Sequence, residues 1–221
     1  MPEPRNQLLR AKVEKCECDL RTAETSLAKA EAALRIASGQ LELARASALH
    51  DPLTKLANRQ LFDEKLANAI AVAGRHQWSL AVMFLDLDSF KAINDTQGHA
   101  GGDIALRETA HRLMQGCRKE DTICRNGGDE FLYLLIDPQN RDNIERVLVK
   151  ATERIGSPLE VNEQRLTISL SVGIAIYPED GVTGEQLIRN ADSAMYQAKI
   201  RNSGWCFFGE PMRQSESASD R

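Results

Sequence analysis

The sequence predicts an α/β (α+β) domain, with a mixed central sheet flanked by helices, behind a long N-terminal helix. Three observations predict it. Within the first 48 residues, apolar residues recur with a 3-4 spacing from Val13 to Ala44, about four heptads, which is the coiled-coil period. Beyond them, short apolar runs suited to buried strands alternate with segments of helical period. Two of those runs are separated by a tight glycine turn, so at least one strand pair is antiparallel and the sheet is mixed.

In the N-terminal segment, Leu20, Leu27, Leu34 and Leu41 lie seven apart, and Val13 extends the row. Ala23, Ala30, Ala37 and Ala44 follow each leucine by three, with Cys16 in the same row. A helix packed on its own domain has no need to hold a 3.5 period for that long, so residues 1–48 read as a coiled-coil stalk. His50-Asp51-Pro52 ends it, because proline disfavours helix in the residue before it, and Asp51-Pro52-Leu53-Thr54 is a turn.

From about Arg59 a helix carries Phe62, Leu66 and Ile70 on one face. Leu80 to Leu85 is a continuous apolar strand, buried on both faces. It runs into Asp86-Leu87-Asp88-Ser89, where a short helix starts with Asp88 or Ser89 as its cap. Asp103 to Cys117 is helical, with Leu106, Ala110, Leu113, Met114 and Cys117 inward. A hairpin at 122–136 turns at Gly127-Gly128. Ile144, Val147, Leu148, Ala151 and Ile155 mark the next helix, Leu166 to Tyr177 a strand, Glu185 to Ile200 a helix with Leu187, Ala191, Ala194, Met195 and Ala198 inward, and Trp205 to Phe208 a closing strand. Residues 49–209 thus form the folded domain, and the polar residues 210–221 read as a flexible tail.

Composition bounds the partners. A 42% hydrophobic content supports a sizeable core, and a net charge of −4 argues against nucleic acid, which selects basic surfaces. No apolar run is long enough to span a membrane, and the N-terminus has no apolar signal core, so a cytoplasmic protein is expected. Cys16-x-Cys18 lacks a second pair or a nearby histidine and is a poor zinc site, while Cys117 and Cys124 read as buried packing residues.

The chemistry concentrates in carboxylates beside glycines. Asp86 and Asp88 straddle a strand's end, and a helix starting there presents free N–H groups suited to phosphate. The acids would repel phosphate, so a bound cation has to mediate. Gly127-Gly128-Asp129-Glu130-Phe131 adds adjacent acids on a turn whose glycines allow close backbone approach. Asn94-Asp95 and Gly98-His99-Ala100-Gly101-Gly102-Asp103 follow. Asn and Asp can read a purine edge, and Asp103 equally suits a helix N-cap. His99 reads as a structural hydrogen-bonding residue. Lys199, near a helix C-terminus, can serve the helix dipole or reach a phosphate.

Together these segments resemble the GGDEF family of diguanylate cyclases, over about residues 49 to 209. The pieces stand in the family's order: Asp51-Pro-Leu-Thr-Lys-Leu-Ala-Asn-Arg59; Phe84-Leu-Asp-Leu-Asp-Ser-Phe-Lys-Ala-Ile-Asn-Asp95; Gly98-His99 with Gly102-Asp103; the signature at 127–131; Ser171-Val-Gly-Ile-Ala175; and Ala191-Asp-Ser-Ala-Met-Tyr-Gln-Ala-Lys199. The resemblance implies a fold similar to the class III nucleotide cyclase core and polymerase palms. It implies condensation of two GTP into cyclic di-GMP with release of two pyrophosphates. By that resemblance Asp86, Asp129 and Glu130, with the Leu87 carbonyl, hold Mg²⁺ or Mn²⁺, and Asp129 and Glu130 are the catalytic acids. Gly127 and Gly128 lie against the nucleotide, Asn94 and Asp103 bind guanine, and Phe90, Lys91 and Lys199 hold phosphates. Arg118-Lys-Glu-Asp121 matches the family's RxxD inhibitory site, so cyclic di-GMP is expected as product and inhibitor. Each domain of the family binds one GTP, so a homodimer through the coiled coil assembles the active site, and the stalk is the place for a regulatory protein.

One departure stands out. Lys199-Ile-Arg-Asn-Ser-Gly-Trp205 lacks the arginine that many members carry in a Gly-Arg-Asn run after the lysine. Two function classes follow: an active bacterial signalling cyclase, or a catalytically silent module that binds GTP or cyclic di-GMP. Silent members usually lose a signature acid, and this chain retains them all.

Overall fold

The computed structural model describes residues 3–162 and 164–210. The tail expected over 210–221 lies outside the described residues apart from Glu210. The chain divides into two compact units, residues 1–48 and 49–221.

The first unit is helix α1 (Glu3–Leu49), 47 residues long. The stripe that carries the heptads is bare: Leu20, Leu27, Leu34 and Leu41 are all exposed. The helix ends at Leu49, directly before His50-Asp51-Pro52.

The second unit contains α2 (Arg59–His76), β1 (Leu80–Leu87), α3 (Phe90–Met114), β2 (Thr122–Gly127), β3 (Glu130–Ile136), α4 (Arg141–Ile155), β4 (Leu159–Val161), β5 (Gln164–Leu166), β6 (Leu170–Tyr177), α5 (Gly184–Arg201) and β7 (Trp205–Phe207). The main sheet has the order β2-β3-β1-β6-β7. β1 lies in the middle, antiparallel to both β3 and β6, and β7 joins β6 in parallel. The sheet is therefore mixed, as the sequence predicts.

The period of two in β1 sorts the core. Ala81, Met83, Leu85 and Leu87 face a cluster that includes Leu106 and Leu113 of α3 and Ile144 and Leu148 of α4. Leu80, Val82 and Phe84 face Phe62 and Leu66 of α2 and Leu187, Ala191 and Met195 of α5. Burial on both faces explains why this strand reads as a continuous apolar run. Asp86 follows in the even register, on the α5 side, at the strand's C-terminal end. Asn58 caps α2 by accepting from the Leu61 N–H, and Thr183 and Gln186 close a capping box on α5.

Several local expectations are corrected. The hairpin turn is Gly128-Asp129, not Gly127-Gly128: Gly127 still pairs with Glu130, and a bulge between Arg125 and Gly127 shifts the register. The strand expected over Leu166–Tyr177 is broken at residues 167–169, because Ser169 is drawn to Asp88, its carbonyl accepting from the Asp88 N–H and its hydroxyl donating to the carboxylate. Neither Asp88 nor Ser89 caps α3. Ser89 sits at the N-cap position with φ 58° and no side-chain cap bond, and the Asp88 carboxylate is taken by the Ser169 and Ser171 hydroxyls. The helix predicted to open at Asp103 begins at Phe90 and breaks at Gly98 (φ 71°), so Asp103 lies inside it and is no cap. α3 ends at Met114, which leaves Met114 half exposed and Cys117 beyond the helix and only partly covered. Cys124 is buried, which pushes its thiol up to about 12. The His99 side chain is exposed and makes no hydrogen bond among the described residues. The β4–β5 hairpin is an addition.

Candidate active site

The C-terminal end of β1 gathers the acids. Asp86 lies opposite Glu130 of β3 on one side and Ser171 of β6 on the other. Asp86 is only 9% exposed, and a buried carboxylate needs a positive partner. Lys199 supplies it: Nζ donates to Asp86 Oδ1 at 2.6 Å. That bond, with the charges of Asp86, Asp88 and Asp129, raises the Lys199 pKa against the opposing effect of its partial burial. Three aspartates therefore act on one ammonium group. Lys199 arrives there because α5 packs on the even face of the sheet, with Ala198 buried beside it.

The signature turn is tied to β1 by the Leu87 N–H, which donates to the Asp129 carbonyl at 3.3 Å. Gly128 has φ 50°, a left-handed value that favours glycine, and open space where a side chain would stand. Arg125 holds the turn from behind. Its Nε and Nη2 donate to the Gly128 carbonyl at 3.0 and 2.7 Å, and its Nη1 reaches Asp51 at 3.2 Å. Burial alone would raise the Asp51 pKa, but the Thr54 hydrogen bonds and the Arg125 charge reverse it and leave the carboxyl below its usual value. Glu130 is held by Asn126, whose Nδ2 donates to Oε2 at 2.7 Å.

Across the Gly98 break, Asn94 lies against Gly102, the residue before Asp103. A Cβ on Gly102 would lie 2.0 Å from Asn94 Oδ1 and 3.2 Å from the Phe90 ring, so the two pieces of α3 fold against each other at Gly102. Asp103 follows, with its carboxylate 3.8 Å from Arg107. The first turn of α3, at Phe90 and Lys91, has no side-chain cap. Arg201 turns to Cys206 Sγ at 3.6 Å instead of joining Lys199 at Asp86.

Arg118 and Asp121 play different parts. Asp121 is buried, and its Oδ1 accepts from the Ile136 N–H at 3.0 Å, tying the start of β2 to the end of β3. Burial raises its pKa despite that bond. Arg118 is exposed and lines a cavity of about 260 Å³ with Lys150, Arg154 and Tyr133. The Tyr133 hydroxyl is buried beside the Cys117 thiol without a well-formed hydrogen bond. Lys150 and Arg154 are basic neighbours that sequence reasoning missed, since nothing local links α4 to Arg118.

The acids fit a hard divalent cation in kind, being oxygen donors beside one another on neighbouring strands. They are not drawn into a ready-made cage: no group of three His, Cys, Asp or Glu side chains converges among the described residues. The ammonium of Lys199 occupies one oxygen of Asp86 and shows that the position accepts positive charge.

The profile of the family described as "Diguanylate cyclase, GGDEF domain" matches residues 48–204. This chain belongs to the GGDEF family. Over 166 residues it is 47% identical to the bifunctional diguanylate cyclase/cyclic di-GMP phosphodiesterase MucR of Pseudomonas aeruginosa, an alignment covering 75% of this chain and 24% of that protein. The chain thus spans about a quarter of that relative's length. Among solved structures it is similar to the coiled coil and GGDEF domain of DgcB from Caulobacter crescentus in complex with c-di-GMP, at TM-score 0.77 and 28% identity, over 83% of this chain and 98% of that one. It is also similar to the diguanylate cyclase SiaD in complex with its activator SiaC from Pseudomonas aeruginosa, at TM-score 0.68 and 29% identity, over 92% of this chain and 76% of that one. No helix among the described residues is long and apolar enough to cross a membrane.

Proposed function

We propose that this GGDEF domain is an active, Mg²⁺-dependent diguanylate cyclase. The observation that carries the reading is the set of acids at the end of β1, with Asp86 and Glu130 paired in register, Asp129 on the adjoining turn, and Lys199 on Asp86. Asp86, Asp129 and Glu130, with the Leu87 carbonyl, are the residues that would hold Mg²⁺ or Mn²⁺. Bound there, such an ion would supply Lewis acidity, lowering the pKa of the attacking 3′-hydroxyl and offsetting charge on the phosphoryl oxygens. Two 3′-hydroxyls attack two α-phosphates, two phosphodiester bonds form, and two pyrophosphates leave. The chain's own task is positioning. Asn94 and Asp103 read guanine, the uncapped N–H groups at Phe90 and Lys91 with Lys199 take the β- and γ-phosphates, and Gly127 and Gly128 let the turn lie against the nucleotide.

The same reading makes the enzyme a homodimer. The bare leucine and alanine rows of α1 suit a second copy of themselves, and the paired stalk holds two GTP-bound domains at high effective concentration. A regulatory protein on the stalk would act by changing this pairing. The similarity to SiaD, a cyclase solved together with its activator SiaC, supports a protein partner of that kind. Product inhibition centres on Arg118, where Lys150 and Arg154 add positive charge around the unsatisfied Tyr133 hydroxyl. Asp121 contributes by shaping the Arg118 turn.

The alternative is a silent module that binds GTP or cyclic di-GMP. The Arg201 contact with Cys206 favours it, since among the described residues Arg201 makes no ion pair with Asp86 beside Lys199. Incubation with GTP and Mg²⁺ followed by chromatography decides between them, with Asp129→Asn as the blank and Arg118→Ala in parallel to lift any product block. A cyclic di-GMP peak abolished in Asp129→Asn supports the cyclase. Binding of cyclic di-GMP with no product from wild type or Arg118→Ala supports the silent module.

A further inference from the structure

We propose that Asn126 and Arg59 are positioning residues that hold the Glu130 carboxylate ready for a divalent cation. The proposal rests on the cyclase reading for the role of Glu130 and adds two residues to it.

Glu130 opens β3 at the half-exposed rim of the site. A glutamate side chain has many rotamers, and an unanchored one samples many places before a cation arrives. Asn126 Nδ2 donates to Oε2 at 2.7 Å, which fixes one oxygen and leaves Oε1 without a hydrogen bond in the described residues. An asparagine can do this only with its amide turned the right way, nitrogen toward Glu130. Arg59 sets that orientation. Its Nη1 donates to Asn126 Oδ1 at 2.8 Å, and a guanidinium can only donate, so the amide oxygen must face it. Arg59 is itself steadied by Asp63, one turn along α2, through Nε at 2.9 and 3.1 Å. The order Asp63–Arg59–Asn126–Glu130 matches every donor with an acceptor.

The backbone explains why residue 126 is free to serve. The bulge between Arg125 and Gly127 takes Asn126 out of the ladder with β3, and bulges beside active sites re-aim side chains. Arg125 and Asn126 divide the work: the first grips the turn's backbone, the second its carboxylate. Substitution of residues that orient metal ligands typically weakens metal binding about 10–100-fold.

The test is Mn²⁺ binding to the full chain in the presence of 3′-deoxy-GTP, which cannot cyclise, followed by the electron paramagnetic resonance signal of free Mn²⁺. Asn126→Ala should weaken Mn²⁺ about 10–100-fold, and the near-isosteric Asn126→Leu about as much, because it keeps the size and removes the donor without adding a charge. Arg59→Ala should weaken it too, and should add nothing in the Asn126→Ala background, since its effect passes through Asn126. A thermal melt of each variant confirms folding. Wild-type Mn²⁺ affinity in both Asn126 variants, or fully additive losses in the double variant, overturns the relay. Asp86→Asn and Glu130→Gln are the controls. If they bind Mn²⁺ as wild type does, the metal assignment fails and the relay with it. If Mn²⁺ binding follows the relay but GTP yields no cyclic di-GMP, the cyclase reading fails and the relay stands.

Discussion

Gly173 of β6 faces α5 so closely that the two cannot be separated from the site they build. A Cβ at this position would lie 2.0 Å from both the Ala191 carbonyl oxygen and the Met195 nitrogen, and 2.7 Å from the Ala194 carbonyl carbon. The first two atoms belong to residues four apart in the helix, so the methyl would land on the helix's own backbone. No flexible side chain is there to give way. Ordinary contact needs about 3.4 Å, so Gly173→Ala must move α5 outward by about 1.4 Å in a close-packed interior. Overpacking typically costs about 1–3 kcal/mol, and a rigid backbone neighbour puts this case at about 3 kcal/mol. For a domain of this size that lowers Tm by about 6–12 °C. The same movement carries Lys199 away from Asp86, where it now sits at 2.6 Å. A displacement of about 1 Å in a substrate-positioning group can cost about 100-fold in rate, so cyclase activity should fall by that order even below the melting temperature. Gly39→Ala is the control: nothing lies within 4 Å of its Cβ position in α1, and alanine favours helix by about 0.5–1 kcal/mol. The measurements are circular-dichroism melts and initial cyclic di-GMP rates at 25 °C. A Gly173→Ala protein with wild-type Tm and rate would refute the steric reasoning.

Three further outcomes are expected. Asp51→Ala, which strips Arg125 of its carboxylate partner, should cost about 2–3 kcal/mol at neutral pH. Because the folded state holds the Asp51 pKa below the ordinary value of 3.8, that stabilisation is complete above 3.8 and is lost as pH falls through the lower, folded value. The melting gap between wild type and variant should therefore close in acid, and a gap that widens there would contradict the pairing. Gly102→Ala would push on Asn94 Oδ1 and the Phe90 ring, both side-chain ends that can move, so steady-state kinetics should show KM for GTP rising about tenfold, the cost of about one lost hydrogen bond, with Tm little changed. Inserting one residue after Ser47 turns the segments on either side by about 100° relative to each other. Activity should then depend on the phase of insertions one to four residues long, and a flat series would remove the stalk from control of the active site.

The features legible along the chain are local in origin. The leucine heptads define a helix over α1, the unbroken apolar run of β1 marks a strand with two covered faces, and the helical periods place α2, α4 and α5, because periods of 3.6 and 2 are written along the chain. Six motifs in order were enough to identify the family without coordinates. Local reasoning erred where a distant partner decides the backbone. The strand before Leu170 breaks because Asp88, some eighty residues earlier, captures Ser169. The hairpin turns one residue later than its glycines suggest, because a bulge at Asn126 shifts the register. Only the tertiary structure placed Lys199 on Asp86 across 113 residues and Arg59 on Asn126 across 67. Such contacts follow from which faces of the sheet the helices cover, and packing settles that only when the whole core is assembled.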